Sequence, residues 1–119
     1  MRHDPRAYLW DVREAADAIA SFVRNRDFDD YANDLMLRSA VERQFAIIGE
    51  ALSQLSKADP GLAVRIPELP RVVAFRNVLI HAYQEIDDAG VWRIVQADLA
   101  PLRERAAALL VELGGDPRR

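Results

Sequence analysis

Four side chains that can handle a phosphate or a proton lie within eight residues of an otherwise apolar run, Arg76-Asn77-Val78-Leu79-Ile80-His81-Ala82-Tyr83. An arginine presents a planar fork of donors that matches a phosphate, and histidine is the side chain that exchanges a proton nearest neutral pH. Together they are a sufficient kit for cutting RNA without a metal. The chain has two histidines, and the other, His3, lies at the polar N-terminus and is assigned no role.

Helical spacing decides which of these groups can meet. Asn77 and His81 are four apart and share a face, and Arg76 and Tyr83, seven apart, share a neighbouring one. Arg76 and His81 are five apart, about 140° around an ideal helix. Arg76 must therefore reach across, the helix must loosen near His81, or a second copy of the helix in a dimer must complete the groove with groups from both chains. Structural readings exist for each residue. Arg76 could pair with Glu50 or Asp87 and only brace the fold, His81 could cap a helix end, and Tyr83 could bury its ring.

The elements that must position these residues read as helices throughout. The first runs from about Pro5 to Arg24, with Asp4 as cap and Tyr8, Val12, Ala15, Ile19, Phe22 and Val23 as its apolar stripe. After a polar break at Asn25 to Asp30, a second runs from about Asp30 to Lys57, with Leu37, Val41, Ile48, Leu52 and Leu55 on one face and Phe45 and Ala51 beside it. Gly49 sits inside it at a cost of roughly 1 kcal/mol relative to Ala, and close approach by another helix is the simplest reason. Ala58-Asp59-Pro60-Gly61 ends that segment, and a proline-marked connection follows. The third segment, from near Pro70 to His81–Tyr83, is apolar on most sides and reads as the central helix. The fourth, from about Asp87 or Asp88 to Leu113, carries Val91, Val95, Leu99, Leu102, Ala106, Leu109 and Leu113, with Pro101 as a candidate kink and Gly114-Gly115 as its stop. Asp116 to Arg119 reads as a frayed tail. The expected architecture is all-α, an antiparallel four- to five-helix bundle forming one domain over residues 1–119.

Composition narrows the function classes. The 119 residues are 50% apolar and 29% charged, with no cysteine, so disulfides, a thiol nucleophile and a thiolate zinc site are excluded. No apolar stretch approaches the ~18 residues of a membrane span and no signal-peptide core follows the N-terminus, so a cytoplasmic location without membrane association is expected. A net charge of −3 argues against a broad nucleic-acid coat but leaves room for a small RNA site. Whether Arg65, Arg71 and Arg76 form one patch is open. Asp29-Asp30 and Asp87-Asp88 read as helix-start residues rather than metal ligands, and Trp10 and Trp92 as core or interface anchors. Arg43 and Glu50, seven apart on one face, either border the site or pair with neighbouring helices.

The signature Arg76-Asn77-x-x-x-His81-x-Tyr83 resembles that of HEPN-domain proteins, in particular the HepT-like toxin family. Arg43-Gln44-Phe45-Ala46-Ile47-Ile48-Gly49-Glu50-Ala51-Leu52 resembles the family's second-helix block, Ile66-Pro67 its pre-motif turn, and Val91-Trp92-x-x-Val95-x-x-Asp98-Leu99 the block after the signature. The chain departs from the pattern with Glu68 and Leu69-Pro70 after Ile66-Pro67, Ala74-Phe75 before Arg76, and Gln84-Glu85 after Tyr83.

The resemblance implies a HEPN-like bundle and a ribonuclease toxin of a type II toxin–antitoxin system, with a small nucleotidyltransferase as antitoxin partner. It implies Arg76 and His81 as catalytic pair and Asn77 as their polar companion, with RNA as substrate, no DNA, no cofactor and no metal. It also implies a homodimer, and Tyr83 as a residue the partner could modify with AMP. The competing implication is a non-catalytic nucleotide-binding or regulatory subunit of a nucleotidyltransferase complex.

Overall fold

A computed structural model describes residues 4–81 and 86–116. Among these residues there are seven helices and no strand: α1 (Pro5–Phe22), α2 (Phe28–Ala32), α3 (Leu35–Ala58), α4 (Pro60–Ala63), α5 (Leu69–His81), α6 (Asp88–Ala97) and α7 (Leu99–Glu112). The all-α bundle expected from the sequence is present. Five helices have ten or more residues and two are single turns, because two of the four expected segments divide and the proline-marked connection contains α4. None is long and apolar enough to cross a membrane among the described residues.

The boundaries follow from local chemistry. Asp4 accepts a hydrogen bond from the Arg6 amide at 2.9 Å with Pro5 at the first helical position, as the sequence implies. The second segment divides because Asp34 turns out to be a cap: its carboxylate accepts from the Leu37 amide at 3.0 Å and starts α3 afresh. Asp27 and Asp30 form a reciprocal capping box around the start of α2, so Asp30 is a helix-start residue of α2 rather than of α3. The last segment divides at Asp98, three residues before Pro101. Proline has no amide to give the Ala97 carbonyl and its ring crowds that carbonyl, so the helix restarts as α7. Gly114 and Gly115 end α7 with positive φ of 109° and 90°. Their amides bond the Val111 and Leu110 carbonyls at 3.1 and 2.8 Å, closing a Schellman motif.

The centre of the bundle is α3, which packs against both α1 and α5, while α1 also meets α7. Val41, Phe45, Ile48, Leu52 and Leu55 of α3, Leu9, Val12 and Ile19 of α1, and Leu102, Ala106 and Leu110 of α7 belong to one buried core. In α1 the buried stripe includes Leu9 and Ala16, and Phe22 is exposed. The expectation that the motif helix would be central is corrected. In α5 only Val72 is fully buried, and Val78 and Ile80 remain 50% and 43% exposed. Its all-round apolar character implies burial, but a single copy covers only the side facing α3.

Tyr31 of α2 is fully buried, its ring 5.4 Å from that of Trp92, which is the core anchor the sequence suggested. The Tyr31 hydroxyl has no hydrogen-bond partner among the described residues. Burial, reinforced by Glu42 and Asp88, pushes its pKa up and keeps it neutral. An unpartnered buried hydroxyl costs about 1–3 kcal/mol, so Tyr31→Phe is expected to stabilise the fold by about 1 kcal/mol. Urea unfolding checks this. A loss of about 1 kcal/mol would instead show a hydrogen bond to that oxygen.

Candidate active site on helix α5

The position of α5 is set by a glycine on its neighbour. A Cβ placed on Gly49 would lie 2.2 Å from the Cβ and 2.5 Å from the Cγ of Arg76, and 3.6 Å from the Val72 carbonyl. The two backbones therefore cross where α3 has no side chain, as the buried glycine implied, and the residue seated in the gap is Arg76. Phe75 locks the crossing from the other side, its ring edge-on to Phe45 at 5.3 Å and 83°.

Arg76 is held between the helices, with its side chain 14% exposed. Its Nη1 donates to Glu50 Oε2 at 2.6 Å, and its Nε is enclosed without a partner among the described residues. Of the two partners considered from sequence, Glu50 and Asp87, the structure selects Glu50. Asp87 pairs with Arg93 instead, at 3.5 Å. Gln54, one turn along α3, donates to Glu50 Oε1 at 2.9 Å and fixes the carboxylate in place. The Gln54 hydrogen bond, followed by the Arg76 charge and hydrogen bond, holds the Glu50 carboxyl below its usual range. This stabilisation is present above the ordinary glutamate pKa and is lost as pH falls through the lowered one, so the pair persists into mildly acidic solution. Gln54 was not singled out in the sequence, where its four-residue spacing from Glu50 was the available signal.

Asn77 and His81 are exposed and share one face of α5, with Val78 beside it on the side of α6. Arg76 is turned the other way, onto Gly49 and Glu50. Asn77 and His81 thus share a face, and Arg76 lies about 140° from His81 around a helix that stays regular to its last residue. The loosening considered from sequence does not occur within residues 69–81. Tyr83 lies outside the described residues, as do His3 and most of the tail.

The three arginines of this region each pair with a different carboxylate. Arg65 makes two 2.9 Å bonds to Glu112, Arg71 bonds the buried Asp98 at 2.5 Å, and Arg76 holds Glu50. Arg43 is exposed. Asp29 and Asp30 lie in the first turn of α2, and Asp87 and Asp88 are the cap and first residue of α6. Trp10 carries the Arg13 guanidinium 4.4 Å from its ring centroid.

Comparison with known proteins gives the chain's family. The family model described as "Ribonuclease HepT-like" matches residues 12–109, and the chain belongs to that family. It is 32% identical over 105 residues to "Putative RNase MJ1380" of Methanocaldococcus jannaschii, covering 87% of this chain and 94% of the relative. It is 36% identical over 106 residues to "Probable ribonuclease HepT" of Thermococcus cleftensis, covering 87% and 93%. No solved structure matches the chain.

The Gly49 crossing gives a prediction in which two effects oppose each other. Alanine is preferred over glycine in a helix by about 1 kcal/mol, whereas overpacking costs about 1–3 kcal/mol. The collision is with the Cβ of Arg76, close to backbone and unable to swing away, so packing wins. Gly49→Ala is expected to lower stability by about 1–2 kcal/mol in urea unfolding. An unchanged or higher midpoint would show that the crossing is not tight.

Proposed function

We propose that the chain is a metal-independent endoribonuclease, the toxin of a type II toxin–antitoxin system, with Arg76 and His81 as its catalytic pair. The observation that carries this reading is the intact Arg76-Asn77-x-x-x-His81 signature in a member of the ribonuclease HepT-like family, with Asn77 and His81 open to solvent on α5 and Arg76 anchored by Glu50.

In the proposed reaction the RNA 2′-oxygen attacks the adjacent phosphorus and loses its proton. The bond from phosphorus to the 5′-oxygen breaks, and that oxygen takes up a proton. The products are a 2′,3′-cyclic phosphate and a 5′-OH. His81 serves one of the two proton transfers and a water the other, and Asn77 orients the imidazole or binds a phosphoryl oxygen. Arg76 stabilises the charge that develops on the phosphoryl oxygens, its Glu50 bond fixing the guanidinium in advance.

Because Arg76 and His81 face different ways on one helix, the cleavage centre is proposed to combine Arg76 of one chain with His81 of a second. Half-exposed Ile80, on the other side of the Asn77–His81 face from Val78, supports a homodimer that covers that part of α5 and leaves the Val78 side open. The proposed antitoxin is a nucleotidyltransferase that adds AMP to Tyr83, two residues beyond His81. The added phosphate would repel RNA and fill the groove.

The test is cleavage of cellular RNA in EDTA by protein made without a nucleotidyltransferase. Wild type is expected to leave cyclic phosphate ends, and Arg76→Ala and His81→Ala to lose at least about 100-fold in rate, the scale of a lost acid–base or oxyanion group. Co-expression with a small nucleotidyltransferase encoded beside it is expected to add one AMP mass at Tyr83 and abolish cleavage. A folded, unmodified dimer that leaves RNA intact would overturn the nuclease and favour a regulatory subunit of a nucleotidyltransferase complex.

A further inference from the structure

On the Val78 side of the Asn77–His81 face, α6 packs onto α2 and α7 and leaves a groove of about 390 Å³ between itself and α5. Phe75, Val78, Ile86 and Ile94 give it apolar walls, and Arg71 and Arg93 stand on its rim. Val78 precedes His81 by three residues, so the groove and the candidate proton-transfer residue are neighbours on one helix surface.

Of the two ion pairs at the groove, Arg71–Asp98 leaves its positive charge outermost. The Asp98 side chain is 9% exposed and that of Arg71 is 63% exposed, so the carboxylate is inside and the guanidinium faces solvent. The pairing uses Nη1, one of the three nitrogens of the Arg71 guanidinium. Arg93 and Asp87 are a different case. Both are more than 70% exposed and 3.5 Å apart, a solvent-screened pair with little hold on either partner. Gly90 keeps the space open beneath them, since a Cβ there would stand 3.0 Å from Asp87 Oδ2 and 3.5 Å from Arg93 Nη2. The Arg93–Asp87 pair thus adds little to the stability of the fold.

An apolar slot with the exposed Arg71 and Arg93 guanidinium groups, and the exposed Asp87 carboxylate, at its edge has the two parts that single-stranded nucleic acid requires, a surface for a base face and cations for its backbone. We infer that the α5–α6 groove is a binding subsite for a nucleotide of single-stranded RNA flanking the cleaved phosphodiester, with the base on the Phe75–Val78–Ile94 wall and a phosphate on Arg93 and the outer edge of Arg71. This inference deepens the ribonuclease reading and rests on it for the identity of the ligand.

The experiment is direct binding of a fluorescent, unstructured oligoribonucleotide to the full-length His81→Ala protein, titrated over a range of salt. Adding Arg93→Ala to that background is expected to weaken binding about tenfold and to reduce the slope of log affinity against log salt by about 0.7, the value for one phosphate on a single strand. Arg93→Lys, which keeps the charge, is expected to retain the slope. Equal affinity and slope in Arg93→Ala would overturn the subsite, as would an absence of RNA binding by the parent protein. Binding does not require cleavage, so the two proposals can fail separately. Arg93-dependent binding by a protein that never cuts RNA leaves the subsite standing, and cleavage by a protein whose binding ignores Arg93 removes the subsite alone.

Discussion

The absence of a side chain at Gly49 lets α5 lie against α3 closely enough for the stem of Arg76 to occupy the gap. Several other features depend on that contact. The guanidinium is pinned to Glu50, Glu50 is braced by Gln54, and Phe75 closes on Phe45 at the same crossing. Arginine loses considerable side-chain freedom when it binds a phosphate, and a stem already clamped between two helices has lost much of it on folding. The rigid placement also carries a consequence. With Arg76 committed to the α3 side, the Asn77–His81 face of the same helix looks elsewhere, and Val78 and Ile80 beside it stay about half exposed among the described residues.

Much of the bundle could be read before the structure because its signals are local. Asp4-Pro5 starts α1 and Gly114-Gly115 closes α7 through short-range hydrogen bonds that the residue types dictate. Gly49 announced a close helix crossing, though its partner could not be named from one sequence. The divisions at Asp34 and Asp98 were harder, since the apolar stripe runs across both and periodicity reports which residues are buried without reporting where a helix restarts. The one-turn α4 is too short to carry a period at all.

The candidate site drew on composition and spacing, and its environment was less legible. The 140° between Arg76 and His81 follows from helix geometry, and the structure keeps α5 regular to His81. The choice of Glu50 over Asp87 as partner of Arg76 needed the tertiary arrangement, as did the inward carboxylate and outward guanidinium of the Asp98–Arg71 pair. The mistaken placing of α5 at the centre has the same origin. A helix apolar on most sides asks for burial, and the sequence does not distinguish burial within one chain from burial between two.

The most direct test of the account is a mixed dimer of Arg76→Ala and His81→Ala chains, distinguished by different tags and purified for carrying one of each. If a cleavage centre takes Arg76 from one chain and His81 from the other, such a dimer has one intact centre. It is then expected to recover metal-free RNA cleavage that neither parent shows. A mixed dimer verified by mass and as inactive as its parents, beside an active wild type, would contradict the shared site.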